Sequence, residues 1–130
     1  MPISIVCTVC SKEKRPDLGY LPAHKRYLGR HIGLVHEEAT VRQMPFYILS
    51  GLHGLICADT LIGHYDYALT PEAAVALGGK VAEQVRALGI GQVHFYTKVT
   101  PAWLPYRSAM WFGATLGRAI LFYNELGAEV

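Results

Sequence analysis

Three apolar runs alternate with three stretches of helical period along this chain, and that alternation limits its fold more than any other feature. Ile3-Ser4-Ile5-Val6-Cys7-Thr8-Val9 is β-branched and apolar, as a strand covered on both faces should be. Phe46-Tyr47-Ile48-Leu49-Ser50 is a second such run, and Gln92-Val93-His94-Phe95-Tyr96-Thr97 a third. Helical spacing runs from about Pro22 to Thr40, with Pro22 in the first turn and Tyr27, Leu28, Ile32, Leu34 and Val35 as the inner face. The clearest helix has Thr70 as N-cap, Pro71 at its first position, Val75, Leu77, Val81, Val85 and Leu88 on its apolar side, and Gly89 as its stop. A last helix is expected from roughly Tyr106 to Glu125. The order β-α-β-α-β-α predicts an α/β, three-layer, Rossmann-like domain, with a mostly parallel sheet and helices on both faces. The 130 residues suit one domain over residues 1–130, with no repeat or boundary inside it.

Ligands of open parallel sheets bind at the carboxyl ends of the strands. That rule directs attention to residues 10–14, 50–54 and 97–106. The first segment is Cys10-Ser11-Lys12-Glu13-Lys14, where a hydroxyl and two cations suit a phosphate or carboxylate. It lacks the glycines of a P-loop, and the competing reading is a solvated basic turn. The second segment is Ser50-Gly51-Leu52-His53-Gly54, where two glycines allow close backbone approach and His53 suits a general acid or base. Residues 51–69 read as one long connection, of a length that is often functional, and it carries Asp59, Tyr65, Asp66 and Tyr67. Tyr96, Trp103 and Tyr106 surround the third strand's end and could stack on a ring, or else pack the core.

Charge and cysteine content narrow the partners. Net charge is +2, which makes no general case for nucleic-acid binding, although the N-terminal third is basic. Cys7 and Cys10 have C-x-x-C spacing, but residues three apart on a strand point to opposite faces and no second ligand pair exists. No metal and no cofactor is expected. An odd count of three cysteines fits a reduced, cytoplasmic protein. The N-terminus has no basic leader and no long apolar run, so neither a signal peptide nor a membrane span is expected. Only 17% of the residues are charged, and residues 106–123 are apolar all round, which predicts a homodimer through that segment.

Taken together, Cys10-Ser11-Lys12-Glu13-Lys14, Tyr27-Leu28-Gly29, Ile48-Leu49-Ser50-Gly51-Leu52-His53-Gly54-Leu55, Asp59 and Tyr65-Asp66-Tyr67-Ala68-Leu69 resemble small bacterial and phage domains related to the peroxide-stress protein YaaA. The Cys-Ser-x-x-Lys piece is also similar to a motif in archaeosine synthase, a tRNA-modifying enzyme. Such domains often carry lysine and tyrosine where this chain has Leu52 and His53. The resemblance implies a nucleotide, nucleobase or nucleic-acid link and supplies no reaction. A nucleotide-like or nucleobase-like ligand is expected at the carboxyl edge of the sheet, and an N-glycosidic hydrolase or transferase reaction fits a carboxylate near a cationic loop. Cys10, Ser11, Lys12 and Lys14 would hold its anionic end. Ser50, Gly51, Gly54 and Tyr65 would shape the floor. Asp59 and Asp66 would contact sugar hydroxyls or move protons, with His53 as an auxiliary acid or base. The alternative is a non-catalytic, nucleic-acid-binding or homodimeric accessory protein.

Overall fold

The computed structural model describes residues 2–128. In chain order its elements are β1 (Ile3–Val9), β2 (Leu21–Pro22), α1 (Ala23–Arg26), α2 (Arg30–Arg42), β3 (Phe46–Ser50), β4 (Gly54–Cys57), β5 (Leu61–Ile62), α3 (Ala74–Leu88), β6 (Ile90–Thr97), α4 (Leu104–Leu116) and β7 (Ile120–Glu125). Five strands form the main sheet in the order β4-β3-β1-β6-β7, and β2 with β5 forms a small antiparallel pair. β1 is central and runs parallel to β3 and β6, while β6 runs parallel to β7. Only β4 is antiparallel in the main sheet, paired with β3 as a hairpin.

β1 is apolar at successive positions because both of its faces are covered. Ile5, Cys7 and Val9 pack with Leu77, Val81 and Val85 of α3 and with Ala109 and Met110 of α4. Val6 instead joins Ile32, Val35 and Ala39 of α2. Helices α3 and α4 approach closely because two glycines face the crossing. A Cβ on Gly78 would stand 2.6 Å from Phe112 Cβ, and one on Gly113 would overlap Val81. The Gly78-Gly79 pair that weakens α3 as an isolated helix therefore serves its packing.

Four expectations change. The stretch from Pro22 to Thr40 is not one helix. Tyr27 and Gly29 are extended, so a single turn (α1) is separated from α2, whose N-cap is Gly29. Residues 51–69 are not a structureless connection, since they contain β4 and β5. Thr70 does cap, but it caps a turn: its hydroxyl accepts from the Ala73 N–H and the α-helix begins at Ala74. Finally, the segment expected to be helix as far as Glu125 stops at Leu116. Arg118 takes a left-handed φ of 62° and the chain returns as β7. Ile120-Leu121-Phe122-Tyr123 is a β-branched and aromatic run, and pairing with β6 outweighs the helical spacing that α4 sets up. The residue order is thus β-α-β-α-β-α elaborated by a hairpin, a small second sheet and a C-terminal strand.

Candidate active site

The carboxyl ends of β1 and β6 open into a cleft of about 600 Å³. Its rim carries Lys12, Lys14, Arg30, Asp66 and Lys98, and its walls carry Trp103 and Tyr106.

The first loop is held rigidly although it is mostly polar. Lys14 bridges to Tyr27, Arg15 N–H donates to Arg26 O, and Leu28 N–H donates to Glu13 O. The anchor is Arg26, which is fully buried. Its guanidinium donates to the carbonyls of Arg15 (2.6 Å), Asp17 (2.9 Å), Gly19 (2.8 Å) and Ile62 (3.3 Å). A buried cation is tolerable only with such a set of acceptors. Ser11 adds a second tie: its hydroxyl donates to Glu13 O (2.7 Å) and accepts from Gly29 N–H (3.2 Å). Ser11 lines the cleft, but its hydroxyl is used to join the loop to the start of α2.

That helix start faces the cleft, with Gly29, Arg30 and His31 in the lining. Among the described residues α2 has no side-chain cap, and its first turn carries no acidic residue. Gly29 is required sterically, because a Cβ there would lie 2.6 Å from the His31 ring and 2.9 Å from Ser11 Cβ. His31 is buried, and its Nε2–H donates to Val9 O at 2.6 Å. Burial holds its pKa below the ordinary histidine range, so it is the neutral tautomer with the proton on Nε2.

Behind the lysines lies a chain of hydroxyls. Ser50 Oγ accepts from the N–H groups of Leu52 (3.2 Å) and His53 (3.0 Å) and pairs with Tyr65 Oη (2.8 Å). With both acceptor positions filled, the Ser50 hydroxyl is the donor to Tyr65. Tyr65 Oη also meets Tyr27 Oη at 2.5 Å. The Lys14 ammonium sits 4.6 Å from the Tyr65 ring centroid. Cys10 Sγ donates to Tyr106 Oη at 3.7 Å. Burial pushes the Cys10 thiol up, partly opposed by the Gly51 N–H, Tyr106, Lys14 and Tyr65. Burial likewise pushes Tyr65 up to about 12 and raises Tyr27 and Tyr106. The Cys10 thiol and the three phenols are therefore neutral near pH 7.

The candidate residues separate into four groups. Cys10, Ser11, Lys12, Lys14 and Asp66 line one cleft. Tyr65, Ser50 and Gly51 lie behind it. A Cβ on Gly51 would come within 3.2 Å of Tyr106 Oη. Gly54 and His53 belong to the hairpin. Gly54 has φ of 74° at the β3–β4 turn and abuts Gln84, while His53 meets Tyr65 edge-on with 5.2 Å between centroids. Burial and then the charge of Lys80 depress His53, so it is neutral, and neither aspartate orients it. Asp59 is at the wrong end of the sheet. The antiparallel β4 carries the chain back to the amino edge, where Ala58 N–H donates to Phe46 O and Asp59 pairs with His24 at 3.5 Å. Asp66 is exposed on the cleft rim and makes no hydrogen bond or ion pair among the described residues.

Trp103 and Tyr106 stand in the cleft as the aromatic pattern suggests, whereas Tyr96 faces α2, donating to Glu38 at 3.3 Å. Arg26, His31 and the Gly29 helix start escape sequence reasoning. Among the described residues no group of three or more His, Cys, Asp or Glu is placed to hold a metal ion. No helix among them is long and apolar enough to cross a membrane. The chain matches no family model, and no curated protein or solved structure matches it.

Proposed function

We propose that this cleft binds a small nucleotide-like or nucleobase-like molecule, and that the domain is a three-layer, Rossmann-like relative of the YaaA-like domains it resembles. The supporting observation is a juxtaposition. Lys12, Lys14 and the start of α2, which has no side-chain cap among the described residues, share one cleft with the rings of Trp103 and Tyr106 and with the exposed carboxylate of Asp66. The cations and helix amides suit a phosphate or carboxylate. The aromatic wall suits a flat ring. Asp66 suits sugar hydroxyls. The division of α2 from α3 and α4 between two core clusters favours the three-layer reading. Unpaired Cys7, Cys10 and Cys57 suit a reducing, cytoplasmic setting.

N-glycosidic transfer or hydrolysis is the reaction this set fits. The bond from the sugar carbon to the base nitrogen breaks, and water or an acceptor hydroxyl adds to the sugar carbon. The departing base takes up the proton that the nucleophile releases. Asp66 would guide that nucleophile and offset positive charge on the sugar carbon. Asp59 and His53 have no part in it.

The test is a thermal-shift panel of nucleotides, nucleosides, free bases, ribose 5-phosphate and a single-stranded oligonucleotide, with base release followed for each ligand that shifts. A shift with a small nucleotide that disappears in Lys14→Met and Asp66→Asn supports the reading. No shift with any small compound sinks it. A shift with the oligonucleotide alone replaces it with nucleic-acid binding.

A further inference from the structure

His31 stands in the wall of the cleft with one ring nitrogen committed and the other not. The residue is only 6% exposed. Val9 O can only accept, so the proton of the neutral ring lies on Nε2, 2.6 Å away. Nδ1 then carries a lone pair and no proton. It meets no donor among the described residues, and it is not shielded from water. Gly29 keeps it uncovered, because a Cβ there would lie 2.8 Å from Nδ1 and 2.9 Å from Ser11 Cβ. Burial, and to a lesser extent the charge of Lys98, disfavours a second proton against the pull of the Val9 carbonyl. The result is a fixed acceptor on a buried ring, and such an atom is costly to leave unmet once a ligand displaces water. The Trp103 ring adjoins it, with 4.9 Å between centroids.

We infer that His31 is the specificity-determining residue of the cleft, its Nδ1 accepting from an N–H on the edge of a nucleobase. Resting on the nucleotide-like ligand proposed above, this contact divides the ligand between two kinds of protein group. Lys12, Lys14 and the amides at the start of α2 are donors and suit its anionic end. An imidazole lone pair repels an anion and pairs with a donor. Its place beside Trp103 selects a donor carried on a flat ring, and nucleobases carry N–H groups on their pairing edges. A ring that offers no N–H leaves Nδ1 unmet and is discriminated against.

Calorimetric titration tests the assignment with AMP, GMP, CMP and UMP, each beside a counterpart whose pairing-edge N–H groups are removed or methylated. The parent chain is expected to prefer the N–H form of the nucleotide it binds by about tenfold, the worth of one such hydrogen bond. His31→Gln keeps an N–H for Val9 O without an acceptor at the Nδ1 position, and should bind the two forms alike. Nitrogen NMR of the parent should show His31 Nδ1 without a proton, its resonance moving on addition of the N–H form. A purely structural role would weaken both forms equally in His31→Gln and leave the preference standing, which overturns the inference. An Nδ1 that gains a proton on binding overturns it too. So does a parent chain that binds both forms alike, in which case the cleft still takes a nucleotide. If none of these nucleotides binds, the ligand proposed for the cleft and this contact fall together.

Discussion

Ser50 Oγ and Tyr65 Oη lie 2.8 Å apart, and this single bond joins the carboxyl end of β3 to the segment that carries Asp66 to the cleft. Ser50 is committed as donor because two backbone amides fill its acceptor positions. Tyr65→Phe therefore leaves both the Ser50 and the Tyr27 hydroxyls without their partner. The expected loss is about 1–3 kcal/mol, the usual cost of stranding a buried polar group. Urea unfolding measures it. A variant as stable as the parent would show that the hydroxyl chain does not hold the segment.

The same tyrosine predicts an alkaline limit. Its folded pKa is raised to about 12 by burial, above the ordinary value near 10 in the unfolded chain. Between those values the unfolded state has lost its proton and the folded state has kept it. Stability is therefore fully present below pH 10 and falls as pH rises toward 12, by about 1.4 kcal/mol per pH unit for one such group. Tyr27 and Tyr106 are raised too and steepen the fall. Denaturation midpoints taken from pH 9 upward should decline above 10, and less steeply in Tyr65→Phe. A flat profile refutes the account.

Arg26→Met should cost about 3 kcal/mol or more, because four backbone carbonyls lose their shared donor inside the fold. Arg26→Lys should not restore the loss, since one ammonium cannot span the same acceptors. Chemical unfolding gives the size of the effect. Limited proteolysis should show new cleavage within residues 15–19.

Gly29→Ala keeps an allowed backbone, at φ of −60° and ψ of 139°, yet drives a methyl into the His31 ring and Ser11. A destabilisation of about 1–3 kcal/mol is expected from the crowding. Any anionic ligand of the cleft should weaken with it, because the start of α2 must move. Calorimetric titration of the variant, compared with Leu28→Ala at an exposed neighbouring position, separates the two effects.

Asp66→Asn and Asp59→Asn should behave oppositely. Both residues are exposed, so each should alter stability by less than about 0.5 kcal/mol. Only Asp66→Asn should abolish ligand binding, since Asp59 lies at the amino edge beside His24. Equal loss in both variants would contradict the assigned geometry.

The sequence alone determined the class of the fold and one side of the cleft. Strand patterns at 3–9, 46–50 and 92–97 rest on local composition, and β1, β3 and β6 form where those patterns lie. The carboxyl-edge rule places Cys10, Lys12, Lys14, Trp103 and Tyr106 at one end of the sheet from strand order alone, and all five line the cleft. Tertiary structure decided the rest, because it depends on pairing between residues distant along the chain. β7 is a strand because β6 offers it a partner, although its residues continue an apolar helical run. Asp59 and Asp66 are seven positions apart, yet β4 runs backward and puts one at each end of the sheet. Arg26 reads as a surface cation until the loop folds over it and supplies four carbonyls. Local pattern reports which backbone a segment prefers. Strand direction, and the partners that make a buried charge tolerable, are properties of the assembled chain.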